Sequence, residues 1–471
     1  MLLKYFYDPK LAHASYLVGC QITREAIVID PGRKIEAYLK EAKMNQLSIT
    51  AVTETHIHAD FVSGTRELAE RTGATIFLSG EGNENWQYRY PEIYQPRLLK
   101  DGDVFNVGNI WFEAIHTPGH TPEHLSFLLT DRGGGADRPM GIFTGDFVFA
   151  GAVGRPDLLE KAAGITGSAL AGARAMFQSI QRFKQLPDYL QVWPGHGAGS
   201  ACGKGLGAIP SSTVGYEKQF NPALAFVAEP AFVDYLLTEQ PEPPKYFAVM
   251  KRVNREGPCL LHHLSAPTAL PASRLPDVLR AGAMVVDTRP PGIFAAQHVP
   301  GTINIPTWDL AAWAGWFVNY DEPLYLIVNS AHVQEAVHDM RAIGIDQIAG
   351  YFSPQVIEKL IGMGHSIQHY ETITPSGLVA RLRREEMLLI DVRSEAEWQS
   401  GYIPGAQHIM LGYLPERSHE VVNGRPIVVT CRSGRRSAIG ASILQAQGAK
   451  EVFNLQSGIQ DWIAAGLPFE K

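Results

Sequence analysis

The sequence has little cysteine, no long apolar run and no excess of positive charge. Its four cysteines lie far apart without a Cys-x-x-Cys pair, which predicts free thiols in a reducing compartment rather than a disulfide framework. No stretch reaches about 18 consecutive apolar residues, and the N-terminal stretch lacks the apolar core of a signal peptide, so neither a membrane span nor a leader is expected. With 41 Lys and Arg against 48 Asp and Glu, non-specific nucleic-acid binding is not expected either. We therefore predict a cytoplasmic protein that acts on small molecules.

The length and the pattern of the chain predict several domains. A chain of 471 residues has room for about two to four domains. Up to about residue 245, short β patterns mix with helices, which predicts a layered α/β sandwich. Proline-rich sequence at residues 229–244 then predicts a helix and a linker.

An internal repeat occupies the rest of the chain. Residues 285–289 recur as 389–393, and residues 298–303 recur as 402–407 at the same offset. Two landmarks with one offset indicate two copies of one α/β domain. The predicted domains are therefore residues 1–247, 260–368 and 372–471.

The strongest motif is Thr-His-Ile-His-Ala-Asp-Phe at residues 55–61. It follows an apolar run and precedes a helical pattern, so it is predicted to lie on a strand-to-helix loop. Later loops carry His120, Asp146 and His196, and each of these loops also follows an apolar strand. Because the ends of neighbouring strands can meet at one edge of a sheet, we expect these side chains to converge on a metal.

This set resembles the motif of the metallo-beta-lactamase superfamily, His-x-His-x-Asp-His followed by His, Asp and His on later loops. One departure concerns the second metal that dinuclear hydrolases of this superfamily bind. The last histidine of the motif is Phe61 here, and a phenyl ring cannot bind a metal. Asp60 and His196 alone would leave a poor second site, so a single metal is expected.

The persulfide dioxygenases of the superfamily are similar in this respect, because they bind one ferrous iron. The resemblance implies His56, His120 and Asp146 as the ligands of one Fe(II) per chain. Two imidazoles and one carboxylate form the facial triad of non-haem iron oxygenases, whereas a hydrolytic zinc site keeps one position open for an activated water.

Five further residues are candidates around the metal. His58, Asp60 and His196 are expected to hold ligands and substrate in place, although they are metal ligands or loop caps in the alternative interpretation. The resemblance implies that Arg155 holds an anionic substrate, and the alternative is a surface arginine that caps a turn. The loop around Cys202 resembles that of bacterial fusion enzymes, in which this thiol would carry or attack sulfane sulfur. A lone cysteine is also commonly a small buried apolar residue, but the flanking glycines favour an exposed loop.

Near the C-terminus, an apolar run at residues 427–429 leads into a loop and then a helical pattern. The loop consists of Cys431, Arg432, Ser433, Gly434, Arg435, Arg436 and Ser437. A cysteine between a strand end and a helix N-terminus has its thiolate stabilised by backbone N–H groups, and nearby arginines attract anions. The loop resembles the active-site loop of rhodaneses. Cysteine phosphatases have a wider loop, with one residue more between Cys and Arg than lies between Cys431 and Arg436, so the smaller loop favours sulfur.

In the first copy of the repeat, Asn329 is expected at the position of Cys431, which predicts an inactive domain. The whole order resembles bacterial persulfide dioxygenase–rhodanese fusions. It implies oxidation of low-molecular-weight thiol persulfides by O2 to sulfite, and sulfur transfer that gives thiosulfate. Expected partners are these small molecules and other copies of the chain in a homo-oligomer. A dinuclear zinc thioester hydrolase that resembles glyoxalase II, and a scaffold that only relays sulfur, remain alternatives.

Overall fold

The computed structural model describes residues 1–158, 160, 167–203, 205–238, 240, 242–382, 384 and 386–471. Lys204 of the Cys202 loop and Pro241 of the predicted linker lie outside the described residues. The chain divides into two compact units, residues 1–264 with 341–344, and residues 265–340 with 345–471. Among the described residues, no helix combines the length and the apolar character needed to span a bilayer.

The first unit contains short strands joined by loops and helices. Its strands are β1 Leu2–Asp8, β2 His13–Cys20, β3 Glu25–Ile29, β4 Ser48–Thr53, β5 Thr75–Ser79, β6 Arg97–Leu99, β7 Val104–Val107, β8 Ile110–His116, β9 Leu125–Asp131, β10 Gly141–Gly145, β11 Val148–Phe149, β12 Ala152–Val153, β13 Gln191–Pro194 and β14 Ser212–Thr213. Its helices are α1 Glu36–Met44, α2 Thr65–Thr72, α3 Ser168–Phe183, α4 Val214–Phe220, α5 Glu229–Leu237 and α6 Phe247–Glu256.

Two six-stranded sheets form the layers of this unit. The first has the order β1-β2-β3-β4-β5-β6 and the second has the order β14-β13-β10-β9-β8-β7. One apolar core takes side chains from both sheets, and two further cores pack α1 and α2 on the first sheet and α3 and α5 on the second. Burial of both faces explains why β2 is buried along its whole length. The predicted layered α/β sandwich is confirmed.

The sheets position the candidate metal loops. Strand β4 lies between β3 and β5 and is parallel to both, so the 55–61 loop leaves from the interior of the first sheet. In the second sheet β10 and β13 are parallel, and Gly145 pairs with Pro194. The residues that follow these two strands, Asp146 and His196, therefore leave the sheet at the same edge.

The second unit contains two similar halves. Its strands are β15 Thr268–Ala269, β16 Val285–Asp287, β17 Ile303–Asn304, β18 Leu324–Ile327, β19 Ile348–Phe352, β20 Glu371–Ile373, β21 Leu388–Asp391, β22 Gln407–His408, β23 Ile427–Thr430 and β24 Val452–Leu455. The helices of this region are α7 Leu275–Arg280, α8 Pro291–Ala296, α9 Leu310–Phe317, α10 Val333–Ala342, α11 Val356–Gly362, α12 Pro375–Leu382, α13 Glu395–Gln399, α14 Leu414–Arg417, α15 Arg435–Ala446 and α16 Gly458–Ala464.

Each half has a five-stranded parallel sheet. The orders are β15-β19-β18-β16-β17 and β20-β24-β23-β21-β22, so the strands have the same sequence of places in both halves. The landmark shared by the two copies also has a structural role: Arg289 binds Asp287, and Arg393 binds Asp391, each through paired contacts of 2.7–2.9 Å. Both copies of the repeat therefore have the same strand order and an equivalent Asp–Arg ion pair.

The strand register corrects one residue of the repeat alignment. Asp287 pairs with Ile327, and its counterpart Asp391 pairs with Thr430. The residue after each partner is therefore equivalent, which places Val328, and not Asn329, at the position of Cys431. Val328 is fully buried and has no thiol, so the reason for expecting an inactive copy is unchanged.

Candidate active sites

Three side chains from separate loops of the first unit converge at the edge of the sandwich. His56, His120 and Asp146 each offer one ligand atom, and these atoms lie within 4.8 Å of one another. Asp146 Oδ2 is 3.4 Å from His120 Nε2 and 3.9 Å from His56 Nε2. All three residues are buried. The residues that the sequence proposed as an iron triad therefore lie together.

Hydrogen bonds fix how the two histidines present their rings. His120 Nδ1 donates to the Arg155 carbonyl at 2.9 Å. His56 Nδ1 is 3.0 Å from Thr55 Oγ1, whose own proton goes to Asp30 Oδ2 at 2.9 Å, so this imidazole nitrogen is the donor. Both rings therefore turn an Nε2 lone pair towards Asp146, which is the tautomer that a metal ligand needs. Burial lowers the pKa of His56 well below its ordinary value, which keeps the ring neutral.

The atoms of this group fit a metal ion. Among the described residues, His56 Nε2 and both oxygens of Asp146 are buried without a hydrogen-bond partner. Buried polar atoms are rarely left without a partner unless something else binds them. Two neutral imidazoles and a carboxylate suit a divalent transition metal, with positions left open for other ligands.

His58 lies outside this group. Its Nε2 is 3.1 Å from Asp30 Oδ1. Burial opposes a positive charge on the ring, but the Asp30 carboxylate raises the pKa of His58 to about 9. Asp30 also accepts hydrogen bonds from the Thr55 backbone and side chain. It therefore holds both Thr55 and His58 of the 55–61 loop in place. Sequence reasoning missed Asp30, although its place directly after β3 is the same kind of signal that identified the other loops.

Two further residues that the sequence interpretation missed hold the loops in place. His124 Nε2 accepts a hydrogen bond from the Asp146 backbone N–H at 3.2 Å, and its ring stacks on His56 at 5.0 Å. Asn254 donates to the carbonyls of His58 and Phe61 at 2.8 and 2.7 Å. His124 lies in the same loop as His120, and this proximity could have indicated it. Asn254 comes from α6, far away in sequence, and has no local signal.

Arg155 is not a surface residue. Its side chain is fully buried and binds Asp157 through two hydrogen bonds of 2.7 Å. The Arg155 backbone links two parts of the site: its carbonyl accepts a hydrogen bond from His120, and its N–H donates to the Cys202 carbonyl at 3.1 Å. The alternative of an exposed turn cap is therefore wrong. Asp157 already neutralises the charge of the guanidinium. The predicted contact of Arg155 with an anionic substrate therefore stays a prediction.

The other predicted residues form a neighbouring group. Asp60, His196 and Cys202 offer ligand atoms within 4.8 Å of one another. Gly199 and Gly205 of this loop are exposed as expected, but the Cys202 side chain itself is buried. Burial raises the pKa of the Cys202 thiol, and the carboxylates of Asp60 and Asp146 raise it further.

A cavity of about 370 Å³ opens beside His120. Its wall includes Trp86, Pro156, Ser168 and the amides of Asn83 and Asn85. Among the described residues of this wall there is no Asp, Glu, Lys or Arg, and His120 is the only titratable side chain. The cavity has the size of a small-molecule site.

In the second unit, Cys431 follows β23 directly and is buried. Its Sγ accepts hydrogen bonds from the Gly434 N–H at 3.2 Å and from Ser437 Oγ at 3.3 Å. Gly434 has φ of +86° and caps α15, a conformation that favours glycine. The loop therefore wraps its donors around the sulfur, which stabilises a thiolate or a terminal persulfide anion.

The arginines of this loop differ in their partners. Arg436 binds both carboxylate oxygens of Glu397 at 2.6 and 2.7 Å. Arg435 binds Asp309, which comes from the first copy of the repeat, at 2.8 Å. A hollow of about 220 Å³ lies here, and its wall includes Asp309 and Trp313 together with Ser433 and both arginines. Arg432 and Ser433 are exposed. The first copy of the repeat thus contributes side chains to the mouth of the cysteine loop.

The fold and the two sites define the class of the protein: an α/β sandwich with a candidate metal site, joined to two parallel-sheet α/β domains, the second of which carries a cysteine loop at a strand end. Residues 8–196 match the metallo-beta-lactamase superfamily, and residues 374–465 match the rhodanese-like domain. A crystal structure of a metallo-beta-lactamase from Staphylococcus aureus subsp. aureus COL is 46% identical with a TM-score of 0.70, and the match covers 75% of this chain and 99% of that one. The chain belongs to the metallo-beta-lactamase superfamily and carries a rhodanese-like domain, the combination found in persulfide dioxygenase–rhodanese fusions.

Curated relatives include a dioxygenase and several kinds of hydrolase. The mitochondrial persulfide dioxygenase of Bos taurus is 25% identical over 236 residues, which is 49% of this chain and 78% of the relative. A hydroxyacylglutathione hydrolase of Haemophilus influenzae is 27% identical over 216 residues, 43% of this chain and 88% of the relative. The chain spans about half (53%) of the length of the beta-lactamase hydrolase-like proteins of Xylella fastidiosa, to which it is 30% identical over 48% of its own length.

Proposed function

We propose that the first unit oxidises low-molecular-weight thiol persulfides with O2 at one non-haem ferrous ion, and that Cys431 combines sulfane sulfur with the resulting sulfite. The observation that carries this proposal is the three-ligand group of His56, His120 and Asp146, from which His58 is held apart by Asp30. A facial group of two histidines and one carboxylate is typical of iron oxygenases. The similarity to a persulfide dioxygenase supports the same assignment.

The first half-reaction is R–S–SH + O2 + H2O → R–SH + SO3²⁻ + 2 H⁺. A ferrous ion held by the triad supplies open coordination positions and the electrons that activate O2. The chain itself supplies orientation, because the Arg155 carbonyl and Thr55 fix the rings of the two histidines. The cavity beside His120 offers room for the group that carries the persulfide. The three candidate ligands are themselves buried, which limits access of bulk water to an ion that they would hold.

The second half-reaction takes place at Cys431. Its thiolate attacks the outer sulfur of a second persulfide, which releases R–S⁻ and leaves Cys431–S–SH. Sulfite then attacks that outer sulfur, and Cys431 leaves as a thiolate while thiosulfate forms. The Gly434 N–H and Ser437 Oγ lie within 3.3 Å of Sγ and stabilise the negative sulfur in both steps.

The test is oxygen uptake and product analysis with several thiol persulfides, on the wild type and on Cys431→Ser. We expect the wild type to consume O2 and to form thiosulfate. Cys431→Ser should consume O2 at the wild-type rate and release sulfite in place of thiosulfate. No oxygen uptake by the iron-loaded wild type would refute the oxygenase, and thiosulfate formation by Cys431→Ser would refute the role of the thiol.

A zinc thioester hydrolase is the second candidate function. The specific observation that favours it is the group of Asp60, His196 and Cys202 next to the triad, because hydrolases of this type use two metals. The similarity to hydroxyacylglutathione hydrolases also supports it. Hydrolysis of glutathione thioesters by the zinc-loaded protein, without oxygen uptake by the iron-loaded protein, would favour this function over the first.

A further inference from the structure

We propose that a small apolar cavity behind Asp146 binds dioxygen and supplies it to the metal group. The cavity has a volume of about 30 Å³ and lies in the first unit, between strands β8 and β10 and the end of α3. One water-sized sphere needs about 10–15 Å³ of such a volume, so a diatomic molecule fits. The supply of dioxygen rests on the proposed function, whereas the binding of an apolar gas does not.

The wall of the cavity is mainly apolar. Ile115, Ile142, Phe147 and Phe183 are buried members of the core that packs α3 on the second sheet, and Leu186 packs against them from the outside. Phe147 and Phe183 meet edge to face, with 5.8 Å between their ring centroids. Apolar cavities stay dry and take up apolar guests such as xenon. Dioxygen belongs to the same chemical class, because it has no dipole and loses little when it leaves water.

The polar side chains of the wall already have partners elsewhere. Ser179 Oγ donates to the Pro118 carbonyl at 2.7 Å, and Thr117 Oγ1 lies within 2.9 Å of two other polar side chains. Arg182 is 50% exposed and donates to Asp101 at 2.8 Å, so its charge is directed to the surface and only its apolar stem is left for the cavity. A water molecule needs about 2–4 polar partners to stay in a cavity. This wall therefore favours an apolar guest over water.

The inner side of the cavity adjoins the residues that hold the metal group. Phe147 directly follows Asp146 in the chain. Thr117 Oγ1 is 2.8 Å from His124 Nδ1, and the His124 ring both accepts the Asp146 N–H and stacks on His56 at 5.0 Å. Side chains of packed cores still move between rotamers, and such motion of Phe147 is sufficient to let a diatomic molecule pass. The cavity is thus placed to deliver gas to the metal from the protein interior.

This cavity is separate from the larger one beside His120. The larger cavity is lined by the first part of α3, from Ser168 to Ala175, whereas the small one is lined by its end, from Ser179 onwards. Met176 lies between the two parts and packs so closely on Gly119 that an added Cβ there would be 2.6 Å from the Met176 Cβ. Dioxygen can therefore reach the metal while a persulfide fills the larger cavity.

Xenon tests the cavity without any reliance on activity. Crystals of the full chain are pressurised with xenon, and anomalous scattering locates the bound atoms. We expect xenon between Ile142 and Phe183 in the wild type, and its peak should vanish in Leu186→Trp, because the larger side chain fills the cavity. Leu237→Trp is the matched control, since Leu237 packs against the same core without lining the cavity, and it should keep the xenon. Melting temperatures verify that both variants are folded.

The second measurement is the rate of oxygen uptake at varied O2 concentration. In Leu186→Trp, kcat/KM for O2 should fall at least about fivefold while kcat and the KM for the persulfide stay unchanged, because only the approach of the gas is affected. Leu237→Trp should equal the wild type.

A wild-type cavity without xenon would overturn the binding site. Xenon in the wild type, together with an unchanged kcat/KM for O2 in a Leu186→Trp variant that has lost it, would overturn the supply role. Conversely, xenon in the cavity of an iron-loaded protein that takes up no oxygen would refute the proposed function and not the gas-binding cavity.

Discussion

The buried pair of Arg155 and Asp157 makes a quantitative prediction. The exposure of the two side chains is 0% and 5%, and two hydrogen bonds of 2.7 Å join them. Asp157→Asn keeps the size of the side chain and leaves the guanidinium buried without a balancing charge. Loss of one partner of a buried pair costs about 3–5 kcal/mol. In domains of about 150–250 residues each kcal/mol lowers the melting temperature by about 2–4 °C, and the first unit is slightly larger, so we expect a decrease of about 6 °C.

The same change should weaken metal binding, because the Arg155 carbonyl orients His120. Loss of such an outer partner costs about 10–100-fold in metal affinity. Scanning calorimetry of the full chain measures the melting temperature, and the transition that added metal raises belongs to the first unit. The control is Asp188→Asn, which breaks an ion pair of the same 2.7 Å length with Lys218 at a carboxylate that is 72% exposed. Exposed pairs contribute about 0–1 kcal/mol. Equal, small decreases in melting temperature for both variants would refute the stabilising role of the buried Arg155–Asp157 pair.

Three further predictions concern the second unit. Asp309→Asn removes the charge that binds Arg435, whose side chain is 61% exposed. Because an ion pair with an exposed partner contributes about 1 kcal/mol, the KM for sulfite or thiosulfate should fall by about fivefold in steady-state assays. A higher KM would contradict this competition. Gly458→Ala, at φ +57°, sets a Cβ against the Cys431 carbonyl, so sulfur transfer to cyanide should fall at least about tenfold with oxygen uptake retained. An unchanged rate of sulfur transfer would contradict the close packing of Gly458 against the Cys431 carbonyl. Burial opposes the charge on Glu397, but its arginine partner lowers the pKa to about 2 from 4.5. The pair therefore stabilises fully above about pH 4.5 and loses its effect as the pH falls towards 2. Urea unfolding of Glu397→Gln should lack this acid-dependent loss, and a profile equal to the wild type would refute it.

Contiguous motifs were the most predictable part of the site. The Cys431 loop lies between one strand and one helix, so its donors follow from local sequence alone. The convergence of His56, His120 and Asp146 was also predictable, since each of these residues follows an apolar strand and such strand ends meet at a sheet edge. The repeat indicated two similar halves, but the exact partner of Cys431 was wrong by one residue. A repeat alignment carries no hydrogen-bond register, and register is what places Val328 there.

Residues that act through long-range contacts were not predictable in the same way. Glycines around Cys202 pointed to an exposed loop, whereas the tertiary structure buries this thiol beside Asp60 and His196. The sequence left two alternatives for Arg155, a surface turn cap and a substrate contact. It could not decide between them, because the burial of this side chain depends on Asp157 and on the loops packed around it. Asn254 and Asp309 had no local signal.

The amino-acid sequence by itself determined the α/β sandwich, the repeat and the chemistry available at each loop, because these depend on apolar periodicity and on residue type over short stretches. Only the tertiary structure decided which donors share a site and which charges are already paired. Those outcomes depend on distances between residues up to almost two hundred positions apart, and hydrogen bonds between loops set these distances.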